Sequence, residues 1–325
     1  MFTFFTGFVF RLLMMLSVIC AGVWGLARAA QPVYPPVLFG DTTTMQLYMA
    51  TIGCADVWAV CRRESRFLLD SLYSLPVAEW SPDGDYIAVH LGDGWVVYPR
   101  DCLLVLQTCQ PAPLPAAAGD TRIAWGAGGE IIATFANTSV ATSTLYTRGC
   151  WDGSDTCLQK SVLLSSTALL TEPAWSADST RMAYVDYLQT GLIWFYTGCF
   201  DFPEGCGDEL NVVNTGTRVV WPSLSHDGRS AIFTMDLRGA NTYQQLFHLN
   251  IDTGELQQLT DRAGTAIYPD WSADERYILF SGFPTLHSGD LQIYLMDLQR
   301  GITLPVIHHF AQDVVFASWG YPAAD

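Results

Sequence analysis

The sequence predicts an all-β protein: a six-bladed β-propeller of four-stranded antiparallel blades, with the ring closed by N- and C-terminal strands sharing one blade. Three observations predict it. An apolar anchor recurs at Trp80, Trp125, Trp175, Leu224, Trp271 and Trp319, at intervals of 45, 50, 49, 47 and 48 residues. Eight of the nine cysteines form four pairs of one internal spacing, and the first members of the pairs lie 48, 48 and 49 residues apart. Each interval holds four short strand-like segments, the number in a propeller blade. A period of this size marks stacked units that cannot bury both faces alone, so the chain reads as one array rather than two domains.

The elements follow in chain order. "MFTFFTGFVFRLLMMLSVICAGVWGLARAAQP" carries Arg11, an apolar run from Leu12 to Leu26 and the small-x-small pattern Ala27-Arg28-Ala29. Residues 1–29 therefore read as a signal peptide. The rival reading is an N-terminal membrane anchor, because the apolar stretch suffices for a span of about 20 residues. Residues 30–40 are assigned to a short linker and 41–325 to a single propeller domain. Either reading of the N-terminus sends the body of the chain to the periplasm or the cell exterior.

After the linker, "TMQLYMATIGC" and "SRFLLDSLY" look like the outer strands of a blade without its inner one. The repeats proper begin at "EWSPDGDYIAV" and continue through "AWGAGGEIIAT", "AWSADSTRMAY", "SLSHDGRSAIF" and "DWSADERYILF". Ser81-Pro82-Asp83-Gly84 places Pro second and Gly fourth in a tight turn, with a Ser side chain as acceptor at its start. Asp83, Asp178, Asp227 and Asp274 are accordingly read as turn formers. Short β-formers follow each turn, then an aromatic-rich strand such as "GWVVYP" or "GLIWFYT", then a hairpin. The last unit supplies only "VVFASWG", so the two ends of the chain are expected to share a blade.

The hairpins come in two kinds. "NIDTGEL" and "MDLQRGI" turn on a glycine, whereas the other units hold "CADVWAVC", "CLLVLQTC", "CWDGSDTC" and "CFDFPEGC" at the matching place. In an oxidising compartment such cysteines pair. Six intervening residues are too many for a redox CxxC and for a zinc knuckle. The structural disulfides expected are Cys54–Cys61, Cys102–Cys109, Cys150–Cys157 and Cys199–Cys206, each closing a loop of eight residues for about 2 to 2.5 kcal/mol.

Composition narrows the function. Thirty-two acids against 16 bases give a net charge of −16, which repels nucleic acid and anionic membrane surfaces. A protein partner in the envelope or on the cell surface is expected instead, with membrane contact only through the N-terminal segment. The histidines are scattered and predict no metal site, and no cofactor is expected. Acids near the channel, Asp270 among them, are the candidates for calcium through oxygen ligands.

At "EWSPDGDYIAV", "LFHLNIDTGELQQLTD" and "YPDWSADERYILFSG" the sequence resembles the WD-like repeats of the TolB family, over about residues 40 to 325. The resemblance implies a periplasmic six-bladed propeller that docks proteins, in TolB the peptidoglycan-associated lipoprotein. Two departures stand out. The short span before the first strand leaves no room for the α/β domain that precedes the TolB propeller, and the four hairpin disulfides are foreign to it. No GxSxG nucleophile motif is present, so no catalytic residue is assigned. The large aromatics inside the stapled loops, Trp58, Trp151, Phe200 and Phe202, are the candidate partner-binding strip, because rim loops are usually polar. The sequence thus predicts a non-catalytic exported interaction platform or subunit of an envelope assembly. The alternative is a carbohydrate- or small-ligand-binding propeller, or an enzyme, with an acidic site at the channel mouth.

Overall fold

The computed structural model describes residues 36–42, 44–53, 62–70, 77–91, 94–104, 109–114, 122–136, 141–154, 156–165, 170–186, 191–197, 209–237, 244–261, 264–283, 291–307 and 314–319. They form six four-stranded antiparallel sheets arranged as the blades of a propeller. The N-terminal strands are β1 (Val37–Asp41), β2 (Gln46–Gly53) and β3 (Arg62–Asp70). Blade 2 holds β4 (Ala78–Trp80), β5 (Tyr86–Leu91), β6 (Gly94–Pro99) and β7 (Ala112–Pro113). Blade 3 holds β8 (Ile123–Trp125), β9 (Ile131–Ala136), β10 (Ala141–Tyr146) and β11 (Gln159–Ser165). Blade 4 runs through β12 (Leu170–Trp175), β13 (Arg181–Asp186), β14 (Leu192–Thr197) and β15 (Glu209–Asn214). Blade 5 comprises β16 (Val219–Leu224), β17 (Ser230–Asp236), β18 (Gln244–Asn250) and β19 (Leu256–Gln258). Blade 6 comprises β20 (Ala266–Trp271), β21 (Tyr277–Gly282), β22 (Gln292–Asp297) and β23 (Ile302–Ile307).

The last strand, β24 (Val314–Trp319), pairs antiparallel with β1 and becomes the inner strand of blade 1. The ends share one blade, as the repeat count requires. One boundary is corrected: residues 37–40, assigned to the linker, are most of β1. "VLFGD" carries no turn motif and is buried throughout, so its strand character shows only once β24 and β2 flank it.

The core lies between blades, not within them. Trp319 packs with Leu279 and Tyr277 between blades 6 and 1, Trp80 with Leu38 and Leu47 between blades 1 and 2, and Trp125 with Tyr86 and Ala88 between blades 2 and 3. Leu224 and Trp271 fill the same place in blades 5 and 6. Each anchor ends an inner strand and leans on the blade before it. Trp175 alone keeps partial exposure, and its ring lies so close to Gly126 that a Cβ there would come within 2.5 Å of it.

The turns after the anchors share one lattice. The hydroxyls of Ser81, Ser176, Ser225 and Ser272 donate to Asp83, Asp178, Asp227 and Asp274 at 2.6, 2.6, 2.8 and 2.6 Å. The same serine oxygens accept the N–H groups of Tyr86, Arg181, Ser230 and Tyr277 at 2.9 to 3.0 Å. These aspartates are turn formers, as read. The fourth turn residue is left-handed each time: Gly84, Gly129 and Gly228, but also Ser179 (φ 60°) and Glu275 (φ 57°). The two non-glycine residues reach across to the previous blade, where Ser179 Oγ accepts the N–H of Ala127 at 2.6 Å and Glu275 Oε1 that of Asp227 at 3.2 Å.

Two disulfides stand among the described residues, Cys102–Cys109 and Cys150–Cys157, with Cα separations of 5.7 and 4.2 Å. Both close the outer hairpin of their blade, as predicted. Cys54, Cys61, Cys199 and Cys206 lie outside the described residues. In blades 5 and 6 the hairpin turns instead on Gly254 (φ 73°) and Gly301 (φ 64°). Among the described residues no helix is long and apolar enough to cross a membrane.

Candidate functional site

Six inner strands leave their channel-side edges without a sheet neighbour, so their backbone donors need other partners. Side chains from the previous blade supply them. Asp270 accepts the N–H of Trp319 at 2.8 Å, Ser318 that of Trp80 at 3.3 Å and Glu172 that of Trp221 at 2.5 Å. These bonds lace neighbouring inner strands around the channel.

The inner strands are not equivalent. β4 and β8 pair regularly with their neighbours. β24 has one extra residue between Val315 and Ser318 where it pairs with β1, and β12, β16 and β20 each carry a bulge three residues before the anchor, at Glu172, Trp221 and Tyr268. All three adopt left-handed φ values, 50°, 54° and 54°, and all three precede a proline, Pro173, Pro222 and Pro269. The prolines remove a ladder donor and exclude the helical region for the residue before them. A non-glycine residue in this conformation costs about 1 kcal/mol, and bulges re-aim side chains. Here they line the mouth of a cavity of about 180 Å³ with an acid and two aromatics.

Arg122 and Glu79 also line the cavity. Blades 3 and 6 face each other across a six-fold ring, and the Arg122 guanidinium of blade 3 lies 5.5 Å from the Tyr268 ring centroid of blade 6. Arg122 therefore reaches across the channel. The Tyr268 ring in turn meets Trp221 at 4.1 Å between centroids. Three carboxyl groups, Glu79, Glu172 and Asp270, thus share the cavity lining with this one guanidinium; His226 lies at the far end, beside the turns.

The electrostatics follow from partial enclosure, because Glu79, Glu172 and Asp270 are each half-buried against the cavity. Loss of solvent pushes Glu79 up to about 8, with Asp270 adding to the rise and Arg122 opposing it. Burial also lifts Asp270 to about 7, against the pull of the Trp319 and Trp271 N–H groups. Glu172 is raised by burial, opposed by Arg122, the Trp221 N–H and Arg218. Burial likewise raises Tyr268, opposed by Arg122. Desolvation is the largest cause for all three acids, and Arg122 and Arg218 oppose it only in part, so Glu79 and Asp270 carry protons near neutrality.

Among solved structures, TolB from Acinetobacter baumannii superposes with a TM-score of 0.63 at 14% identity, covering 89% of this chain and 67% of that one. Its fold is that of a TolB-like propeller. A putative TolB from Agrobacterium tumefaciens agrees, with a TM-score of 0.57 at 15% identity over 89% of this chain and 91% of that one. Hydrazine synthase from Kuenenia stuttgartiensis shares the architecture at a TM-score of 0.59 and 11% identity, over 89% of this chain and 47% of that one. No family model and no curated protein matches the sequence.

In this TolB-like propeller the residues singled out from sequence fall into three groups. The anchors Trp80, Trp125, Trp175, Leu224, Trp271 and Trp319 all border the cavity. Of the four rim aromatics, Trp58, Phe200 and Phe202 lie outside the described residues. Trp151 is a correction. Its ring is 8% exposed and packs edge-on against Trp125 at 5.8 Å, so it pins its hairpin to its own blade and offers no face to a partner. Asp270 does line the channel. No three His, Cys, Asp or Glu side chains gather at metal-binding distance among the described residues.

The sequence reading passed over Arg122, Glu172, Trp221, Tyr268 and Glu79. A signal for three of them was present: Glu-Pro, Trp-Pro and Tyr-Pro recur at one phase of three consecutive repeats, three residues before the anchor.

Proposed function

We propose that this TolB-like propeller is an exported, non-catalytic docking platform that holds a protein partner at the channel mouth. The observation that carries the reading is the trio of inner strands bulged at a left-handed residue, which present Glu172, Trp221 and Tyr268 together at one level of the channel at a cost in backbone strain. Strain at equivalent places in consecutive repeats is a mark of function, because packing alone does not require it. Tyrosine and tryptophan flanked by charge are also the residues that dominate protein contacts. The signal-like N-terminus and the paired cysteines support export.

The three bulged residues lie in the first half of their inner strands, on the side of the cavity away from the turns and the stapled hairpins. That side replaces the stapled rim as the proposed contact surface. A photo-crosslinking amino acid in place of Tyr268, in cells that express the protein natively, tests the reading. It should trap one partner protein, whereas the same probe at Leu256 on the outer edge, 40% exposed, should trap none. Capture at Leu256 and not at Tyr268 would sink the proposal.

A second reading, small-ligand binding in the channel, is favoured by the cavity itself. A cavity of about 150 Å³ admits a benzene-sized molecule, so this one suits a single side chain or small ligand and is below the roughly 300 Å³ of ordinary ligand pockets.

A further inference from the structure

We infer that the channel is a binding site for one organic cation of side-chain size, a primary ammonium or guanidinium, entering past Tyr268 and taken up beside Glu79 and Asp270, one residue before their anchors. The inference rests on the channel mouth being the binding site of the preceding proposal, and it names the chemistry that site would take.

Four observations converge. The cavity already holds one organic cation against an aromatic face, Arg122 over Tyr268, and a Trp–Tyr pair at 4.1 Å provides further aromatic surface beside it. Cation–π contacts of this kind gain strength when solvent is excluded. Glu79 lines the cavity, and although Arg122 and Asp270 act on it through space, its carboxyl makes no hydrogen bond or ion pair within the described residues. The size suits one amino-acid side chain and excludes an oligosaccharide or a folded loop. Finally, the whole chain carries a net charge of −16, a field that draws cations toward the ring and repels anions.

Charge balance then defines what is missing. Three carboxyl groups line the cavity with one guanidinium, Arg122, while Arg218 acts on Glu172 alone, and Glu79 and Asp270 keep protons near neutral pH. An entering ammonium or guanidinium replaces those protons. Binding is therefore coupled to proton release, and affinity rises with pH across the range in which Glu79 and Asp270 titrate. The other charged or titratable groups near the pair are Arg122, Glu172, Tyr268, Arg218 and His226. His226 is at the turn of blade 5, two residues past the anchor Leu224, on the turn side of the pair.

The cation has two sources, a free amine or the lysine or arginine side chain of a partner segment. Calorimetric titration of the purified full chain separates them. The probes are cadaverine, agmatine, acetyl-Gly-Lys-Gly-amide and the same peptide with norleucine in place of lysine. The expected result is that cationic probes bind at least about tenfold more tightly than the norleucine peptide. Their affinity should rise by about tenfold between pH 6 and pH 9, and Glu79→Gln or Asp270→Asn should each weaken it by about tenfold. Glu255→Gln, which removes an equal charge from an exposed hairpin, should leave it unchanged. A lysine peptide that outbinds cadaverine assigns the cation to a partner segment, and the reverse order assigns it to a free amine; either supports the site. Equal binding of the norleucine peptide, no binding of any cationic probe at 10 mM (about −2.7 kcal/mol on the affinity scale), or indifference to Glu79→Gln overturns it. A protein trapped through position 268 in cells, with no cation bound in the calorimeter, would leave the docking platform standing and remove only the cation.

Discussion

The rim and the channel mouth of this propeller are built by opposite means. At the rim, stability comes from chemistry within a few residues: a serine bonded to an aspartate two positions on, a cysteine bonded to one seven positions on, a glycine that turns a hairpin. In the channel, Glu79, Arg122, Glu172, Trp221, Tyr268 and Asp270 arrive from five blades, and three of them sit in strained backbone. The difference teaches where the molecule stores order and where it spends it. The rim and the turns hold each blade together, which lets the inner edge carry bulges, enclosed acids and an arginine that reaches across the channel.

The largest effect expected is a pH dependence that belongs to the mouth. In the unfolded chain Glu79 and Asp270 ionise near 4.5 and 3.8; in the fold they hold protons up to about 8 and about 7. Folding thus takes up protons between those values. The associated stability is complete below about pH 4 and is lost as pH rises through about 7 and about 8. Each unit of difference corresponds to about 1.4 kcal/mol. Urea unfolding from pH 5 to 9 should show a steeper fall for the wild type than for Glu79→Gln. Parallel profiles would mean that the mouth is wet and that its contrast with the rim is one of position only.

Next in size is the staple. Replacing Cys150 and Cys157 together by alanine should lower stability by about 2.5 kcal/mol without changing the pH profile, because the hairpin lies at the outer edge of its blade and the acids line the channel. An altered profile would show the two regions to be coupled. Gly126→Ala attacks the one anchor that leans on a glycine, and the clash with Trp175 should cost about 1 to 2 kcal/mol, read by the same unfolding curves. Where the rim turns on glycine instead of a disulfide, Gly254→Ala has open space around it and should cost about 1 kcal/mol from the left-handed backbone alone.

The smallest effect is the most discriminating. Glu275 adopts a glycine-like conformation but accepts a hydrogen bond from Asp227 of the neighbouring blade. Glu275→Gly relieves the strain and loses the bond, so stability should change by less than about 0.5 kcal/mol. Glu275→Ala keeps the strain and loses the bond, for about 1 kcal/mol. Equal losses for the two variants would show that the backbone there is unstrained.

What the sequence determined by itself is whatever depends on near neighbours in the chain. The repeat period, the blade count, the Ser–Asp turns, the hairpin position of both described disulfides and the shared closing blade are all legible, since each rests on spacing or on contacts a few residues long. The tertiary structure alone decided the rest. β1 is a strand because β24, nearly the whole chain away, lies beside it. Trp151 faces inward because Trp125 is there to receive it. The X-Pro dipeptides of blades 4, 5 and 6 are visible in the sequence, but that they bulge toward one channel end, opposite Arg122, follows only when six inner strands stand in a ring. Periodicity records which residues occupy equivalent places. It does not record how those places face one another across the channel, and the charge balance of the site exists only there.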